Sequence, residues 1–419
     1  MTDPLVILGN GAAALAAIRA IRRRDRRGAL VVVTAEAAAA YSPALLPYLI
    51  SGRLSERRLM LTDGAFYASH DVTVMAGRRA VEVRAGDRRV VLDDGREVAY
   101  RRLLMATGAT AKGSVVAGAD EGEPLTLRCV DDARRIRARA AECRTVCVLG
   151  AGLAGLEMAM ALRELGKDVS VVAASGQVLS RNAGRDEAGV VEALLAAAGI
   201  RILLHRTIAG VERGAGGRFL LTCEGDRVPA DLLIAAKGAR PNLVPLAPSD
   251  APAAGLSVDG HMRTASPDVY AAGDVAVSMD AVSGRPRAFT TWPSACLQGH
   301  VAGTLMAGGM TSIESEVACN IVPIFGTSAA FIGETAEATS TGGTESIVWH
   351  GSRAADGLYR RLYLRGDRVV GASLIGRCRD AGLLKHLVET GEPVTKPVVS
   401  GLLAGRGWGA AKGLRLPRL

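Results

Sequence analysis

Aromatic residues make up only 4% of this 419-residue chain. Its basic side chains are scattered rather than interleaved with rings, so a nucleic-acid stacking surface is disfavoured. No run of 18 uninterrupted apolar residues occurs, which argues against a membrane-spanning helix. Met1-Thr2-Asp3 leads straight into an apolar strand and leaves no room for a signal peptide, so the cytoplasm is the expected location. Seven cysteines, at 129, 143, 147, 223, 296, 319 and 378, form no Cys-x-x-Cys pair and no zinc-like tetrad. They read as reduced core or surface thiols. The six histidines show no metal-ligand spacing and stand beside no nucleophile pattern; His300, on a predicted helix, reads as structural. No metal and no iron–sulfur cluster is therefore expected in the chain itself.

What is present is a doubled device. Val146 to Val172 reads as an apolar strand, a glycine turn, an amphipathic helix and a second apolar strand. Within it, Gly150 permits the tight turn, Gly152 lets backbone approach a pyrophosphate, and Gly155 lets the helix pack close to the strand. The pyrophosphate is expected on the free N–H groups at the positive end of the helix. The same order opens the chain: strand Leu5–Leu8, then Gly9, Gly11 and Ala14, a helix over 12–24 and a strand over 30–34 ending near Glu36. Glu36 is the candidate for a ribose hydroxyl, somewhat farther along than the roughly 20 residues usual for such a motif. The basic run Arg22-Arg23-Arg24-Asp25-Arg26-Arg27 takes up the extra length.

The length suggests two or three domains. Hydrophobic residues at 49% and charged residues at 22% describe an ordinary globular chain. A net charge of +9 reads either as background arginine richness or as steering toward an acidic partner. The 41–54 segment, with two prolines, reads as a loop and short helix covering a ligand. Strands are expected over 72–74, 79–83, 89–92, 103–105, 201–204 and 232–236. Hairpins are expected at Asp93-Asp94-Gly95 and through 214–217. Helices are expected over 131–141, 186–198 and 295–307. From Thr311 the pattern turns β-rich, with strands over 359–364 and 369–374 and a helix over 381–390. The glycine-rich basic tail, 401–419, is expected to order only against a partner.

Five motifs in order then carry a resemblance: Gly9-x-Gly11-x-x-Ala14, Ala106-Thr107-Gly108, Gly150-x-Gly152-x-x-Gly155-x-Glu157, Gly238-x-x-Pro241-Asn242, and Thr264 to Asp274. Together they resemble the FAD-dependent pyridine-nucleotide oxidoreductases of glutathione-reductase-like fold, over nearly the whole chain. The resemblance implies an α/β architecture of two Rossmann-like units and a C-terminal α+β interface domain. Residues 1–113 and 241–310 would bind FAD, 114–240 would bind NAD(P)H, and 311–419 would form the interface domain. It assigns Gly9, Gly11, Ala14, Glu36, Thr107, Gly108, Gly273, Asp274 and Trp292 to FAD. Gly150, Gly152, Gly155, Glu157 and Gly238 are assigned to NAD(P)H. No catalytic acid, base or nucleophile is required, because hydride transfer depends on positioning two ring systems.

Departures from the family narrow the choice. The disulfide reductases carry a cysteine pair, and the related NADH oxidases and peroxidases one cysteine, on the helix after the first unit. Here that region, Ser42 to Ser51, contains no sulfur. The resemblance is then to ferredoxin reductases, rubredoxin reductases and the flavin part of nitrite reductases. The Ser-Pro-Ala-Leu-Leu-Pro-Tyr-Leu-Ile run, with Pro43, Leu45 and Leu46 where many of those carry arginine and lysine, looks more like flavin subunits that link aldehyde or phenylglyoxylate dehydrogenase complexes to NAD. This implies electron exchange between NAD(P)H and an iron–sulfur protein or subunit. One rival is an NADH oxidase or quinone reductase with a small acceptor; another is a nucleotide-responsive flavin scaffold that binds a partner. NAD(H) is favoured, although the strand ending Val171-Val172-Ala173-Ala174-Ser175 carries neither the acid of NAD sites nor the arginine of NADP sites, and Arg181 is the nearest cation. Glu157 either orients the nicotinamide amide or serves as a first-turn acid favoured by the helix dipole. Lys237 reads as a solvated strand-end residue or a charge near flavin. Trp292 reads as a flavin contact or a packing residue ahead of the 295 helix, and Tyr41 and Tyr48 as loop-packing residues or covers for the flavin ring. Oligomeric state, homo- or hetero-, stays open.

Overall fold

The computed structural model describes residues 3–214, 217–247, 254–335, 345–350 and 359–406. Of the tail over 401–419, residues 407–419 lie outside the described residues. The start of that tail is ordered by the chain itself. Helix Lys396–Leu403 ends there and buries Leu402.

Strand Leu5–Leu8 is buried at all four positions, as a parallel strand covered on both faces requires. It lies in a five-stranded parallel sheet whose order is 269–271, 102–105, 5–8, 30–34 and 72–76. The Val269–Ala271 strand, far along the chain, thus completes the sheet that the N-terminus begins. A second parallel sheet runs 201–203, 168–172, 145–149 and 232–235. The third large sheet is antiparallel, in the order 319–324, 327–333, 368–376, 359–365 and 345–350. Helices Ala381–Thr390 and Lys396–Leu403 pack on it through Leu384, Leu387 and Leu402. Among the described residues no helix is long and apolar enough to cross a membrane.

The helix Ala12–Arg24 buries Ala13, Ala14, Ala17, Ile18 and Ile21. Against it lies helix Trp292–Met306, which starts three residues earlier than the sequence suggests. Thr291 caps it by accepting a hydrogen bond from the Ser294 N–H, and Pro293 suits a first-turn position that needs no donor. Trp292 is accordingly the first helical residue rather than a residue ahead of the helix. Small residues let the two helices touch. A Cβ on Gly299 would sit 2.1 Å from the Ala13 carbonyl oxygen, and one on Gly303 would sit 2.5 Å from that of Ala17.

The 41–54 segment forms a 3-10 turn over Pro43–Leu45 and a short helix over Leu46–Ile50. Leu46, Leu49 and Ile50 are buried in one core with Ala133, Ile136 and Leu156. The segment therefore ties the first unit to helices Val130–Glu142 and Leu153–Glu164. Buried polar contacts seat the third sheet on the second unit. Glu187, fully buried, accepts a 2.8 Å hydrogen bond from the Tyr363 hydroxyl and pairs with Arg361 at 3.3 Å.

Candidate functional site

The two glycine motifs divide their labour as close packing requires. Gly9 has φ +107°, and a Cβ there would lie 2.1 Å from the Ala106 carbonyl oxygen. Gly150 has φ +124°, with the Ala236 oxygen 2.5 Å from the same position. A Cβ on Gly155 would lie 2.1 Å from the Gly150 carbonyl oxygen. Ala14, in the third small position of the first motif, is fully buried. The middle glycines are different. A Cβ on Gly11 or Gly152 would meet nothing within 4 Å. Each of these residues caps its helix, and neither helix has a side-chain cap bond. The open space at each cap leaves room for a pyrophosphate beside the first-turn N–H groups.

Tertiary structure gathers the remaining candidates at the C-terminal strand ends. Asn242 holds the Thr107-Gly108 turn. It donates from Nδ2 to the Thr107 carbonyl at 2.9 Å and from its backbone N–H to the Gly108 carbonyl at 2.8 Å. The Thr107 hydroxyl donates to the Asn242 carbonyl at 2.6 Å. Asp274 accepts a 2.6 Å hydrogen bond from Arg128, whose guanidinium also lies 3.5 Å from the position of a Gly108 Cβ. Gly273 has φ +80° and stands against Ala13 and Ala295, a little along the helix from Trp292. Gly9, Thr107, Gly108, Gly273 and Asp274 thus share one neighbourhood.

Glu36 follows the second strand, which pairs with the first and whose Val33 carbonyl accepts from the Gly9 N–H at 2.8 Å; the Glu36 carboxylate accepts a 2.5 Å hydrogen bond from the Tyr41 hydroxyl. The Tyr41 hydroxyl oxygen in turn accepts from the Val130 N–H at 3.1 Å. Burial and the Glu36 carboxylate raise the Tyr41 phenol well above its ordinary range, so Tyr41 stays a donor. Tyr48 sits under the Arg53 guanidinium at 4.9 Å, a packing role.

In the second unit Gly238 takes φ +92°, and its neighbour Lys237 is exposed. His300 and Arg181 are also exposed. Glu157 is part-buried on helix Leu153–Glu164 with no hydrogen bond or ion pair among the described residues, and burial pushes its carboxyl up to about 7. Cys147 is fully buried, its thiol pushed up to about 12 by desolvation, which makes it inert.

One ribbon joins the two neighbourhoods. Strands Ala109–Ala111 and Ala239–Pro241 pair antiparallel between the units. At one end the Asn242 N–H meets Gly108, and at the other the Lys112 N–H donates to the Gly238 carbonyl at 2.8 Å. Three extended residues span about 10 Å. The C-terminal ends of the two parallel sheets, where dinucleotides bind in such folds, are therefore coupled at close range.

Sequence reasoning missed Arg128, Gln298 and Glu316. Gln298 is fully buried; it accepts from the Gly273 N–H at 2.7 Å and donates to Glu316 at 2.6 Å. Nothing in local spacing marks these residues, because their partners lie far away in the chain.

Residues 3–299 match the model of the pyridine nucleotide-disulphide oxidoreductase family. The chain is 34% identical over 333 residues to the NADH-dependent phenylglyoxylate dehydrogenase subunit epsilon of Aromatoleum evansii, covering 79% of each protein. It is 29% identical over 311 residues to the rubredoxin-NAD(+) reductase of Pseudomonas putida, covering 73% of this chain and 80% of that protein. Among solved structures, the covalent putidaredoxin reductase–putidaredoxin complex superposes with a TM-score of 0.86 at 24% identity, over 98% of this chain and 99% of the other.

Proposed function

We propose that this chain, which belongs to the pyridine nucleotide-disulphide oxidoreductase family, passes electrons between NAD(H) and an iron–sulfur protein or oxidoreductase subunit. It is an FAD-dependent NADH:acceptor oxidoreductase. The observation that carries the reading is the ribbon Ala109–Ala111/Ala239–Pro241, which couples two open glycine-cornered helix ends at the edges of two parallel sheets. FAD, when bound, takes up the electron pair of a hydride and releases electrons one at a time.

The protein's part is binding and orientation. Gly9, Gly11 and Ala14 would seat the FAD pyrophosphate on helix Ala12–Arg24, with Glu36 toward a ribose. Thr107, Gly108, Gly273, Asp274 and Trp292 would surround the remainder of FAD. Gly150, Gly152, Gly155 and Gly238 would seat the nicotinamide nucleotide, with Glu157 toward the nicotinamide amide. The corresponding domain limits are 1–113 with 241–310, then 114–240, then 311–419, and the compartment is the cytoplasm. With no sulfur between Ser42 and Ser51, electrons leave to an external acceptor rather than through a thiol relay.

The test is to purify the flavin-loaded protein and follow bleaching of its absorbance with NADH and with NADPH, then to add ferredoxin, rubredoxin or oxygen alone. Fast bleaching by NADH and turnover with an iron–sulfur acceptor is the expected result. A chain that takes up no flavin, or that turns over as fast with oxygen alone, would overturn it.

A further inference from the structure

The arginine run Arg22–Arg27 has no part in the proposed electron transfer. Arg22 is explained by structure: its buried guanidinium donates to the Asp25, Gly28 and Asp71 carbonyls at 2.8–2.9 Å and so closes the turn into the second strand. Arg24, Arg26 and Arg27 border a surface cleft of about 500 Å³, joined by Arg101 and Arg102 from a distant part of the chain. The cleft is closed by Met306, Ala307 and Gly308, at the end of helix Trp292–Met306. Helix Ala12–Arg24 begins at Gly11 and ends here; its 13 residues put the cleft about 20 Å from the nucleotide end.

Only part of the charge in this cleft is answered: Arg102 lies 3.9 Å from Asp268 and Arg101 the same distance from Asp25. Among the described residues Arg24, Arg26 and Arg27 have no ion-pair partner. The single lining acid, Asp25, turns Oδ1 inward to accept from the Gly28 N–H at 2.7 Å and the Arg27 N–H at 3.2 Å. Its Oδ2 lies 3.9 Å from Arg101. Arg102 donates Nη1 to the Leu305 and Met306 carbonyls at 2.9 Å each. That bond covers the negative end of the helix, which would otherwise repel an anion.

We infer that this cleft is a binding site for a compact anion carrying two or more phosphate groups. Guanidinium forks match phosphate oxygens in pairs, and the volume is that of a small-ligand site. Among the described residues no aromatic side chain lines it, so they offer no platform for a nucleobase. The ligand is recognised by its phosphates.

The test uses full-length, flavin-loaded protein saturated with NAD+, so that both dinucleotide cradles are filled. Inorganic pyrophosphate is titrated in by calorimetry at low ionic strength, with citrate as a non-phosphate anion of similar charge. The expected result is submillimolar pyrophosphate binding that weakens roughly tenfold or more in Arg26→Ala/Arg27→Ala and weakens as salt is raised. Arg101→Gln supplies a second variant should the double one fold poorly. Absence of binding, equal binding by the variants, or equal affinity for citrate would each overturn the assignment.

Discussion

Replacing Glu157 by glutamine should change how stability depends on pH. The carboxyl is part-buried without a partner among the described residues, and burial lifts it from 4.5 to about 7. Between those values the folded chain keeps a proton that the unfolded chain has lost, so stability falls as pH rises through that window. The shift of roughly 2.5 units, at 1.36 kcal/mol each, makes the full penalty at most about 3 kcal/mol, reached above pH 7. Glu157→Gln removes the titration and keeps the shape. Its urea midpoint should match wild type near pH 4.5 and exceed it by a growing margin up to pH 8. The carboxyl carbon of Glu157, followed by NMR, should titrate near 7 in the wild-type protein. An equal offset at pH 5 and pH 8, or titration at the ordinary glutamate value, would refute the desolvation argument.

Gly155→Ala should put a methyl 2.1 Å from the Gly150 carbonyl oxygen. Overpacking of this kind costs about 1–3 kcal/mol, so NADH affinity should drop roughly tenfold or more while FAD content is retained, as read by flavin bleaching. Gly299→Ala, which collides with Ala13 across the helix pair, should instead lower FAD retention and melting temperature. Arg361→Met leaves Glu187 buried without its ion pair and should cost about 3–5 kcal/mol, with the third sheet exchanging its amide hydrogens faster. Iodoacetamide at pH 7.5 should label exposed Cys223 before the others, spare buried Cys147, and leave NADH-driven turnover intact.

Both dinucleotide units were legible in the sequence. Their signals are local: apolar strands, glycines at fixed offsets and between them a helix of mostly apolar, buried residues. Helix Ala381–Thr390 was readable to the residue because Gly391, at φ +59°, ends it. Helix Trp292–Met306 was read three residues short because its cap, Thr291, precedes a tryptophan and a proline that look like loop.

The chain alone therefore determined most strands and helices of the two parallel-sheet units, the glycine turns between them, and that no thiol lies between Ser42 and Ser51, but not the 109–111/239–241 ribbon. Tertiary structure decided which of these meet. Asn242 clamps Thr107 from 135 positions away, Arg128 reaches Asp274 across 146, and Arg101 and Arg102 join the arginine run beside the first helix. Such pairings come from strand order and helix docking. Those depend on packing the whole core at once, and no local spacing encodes them.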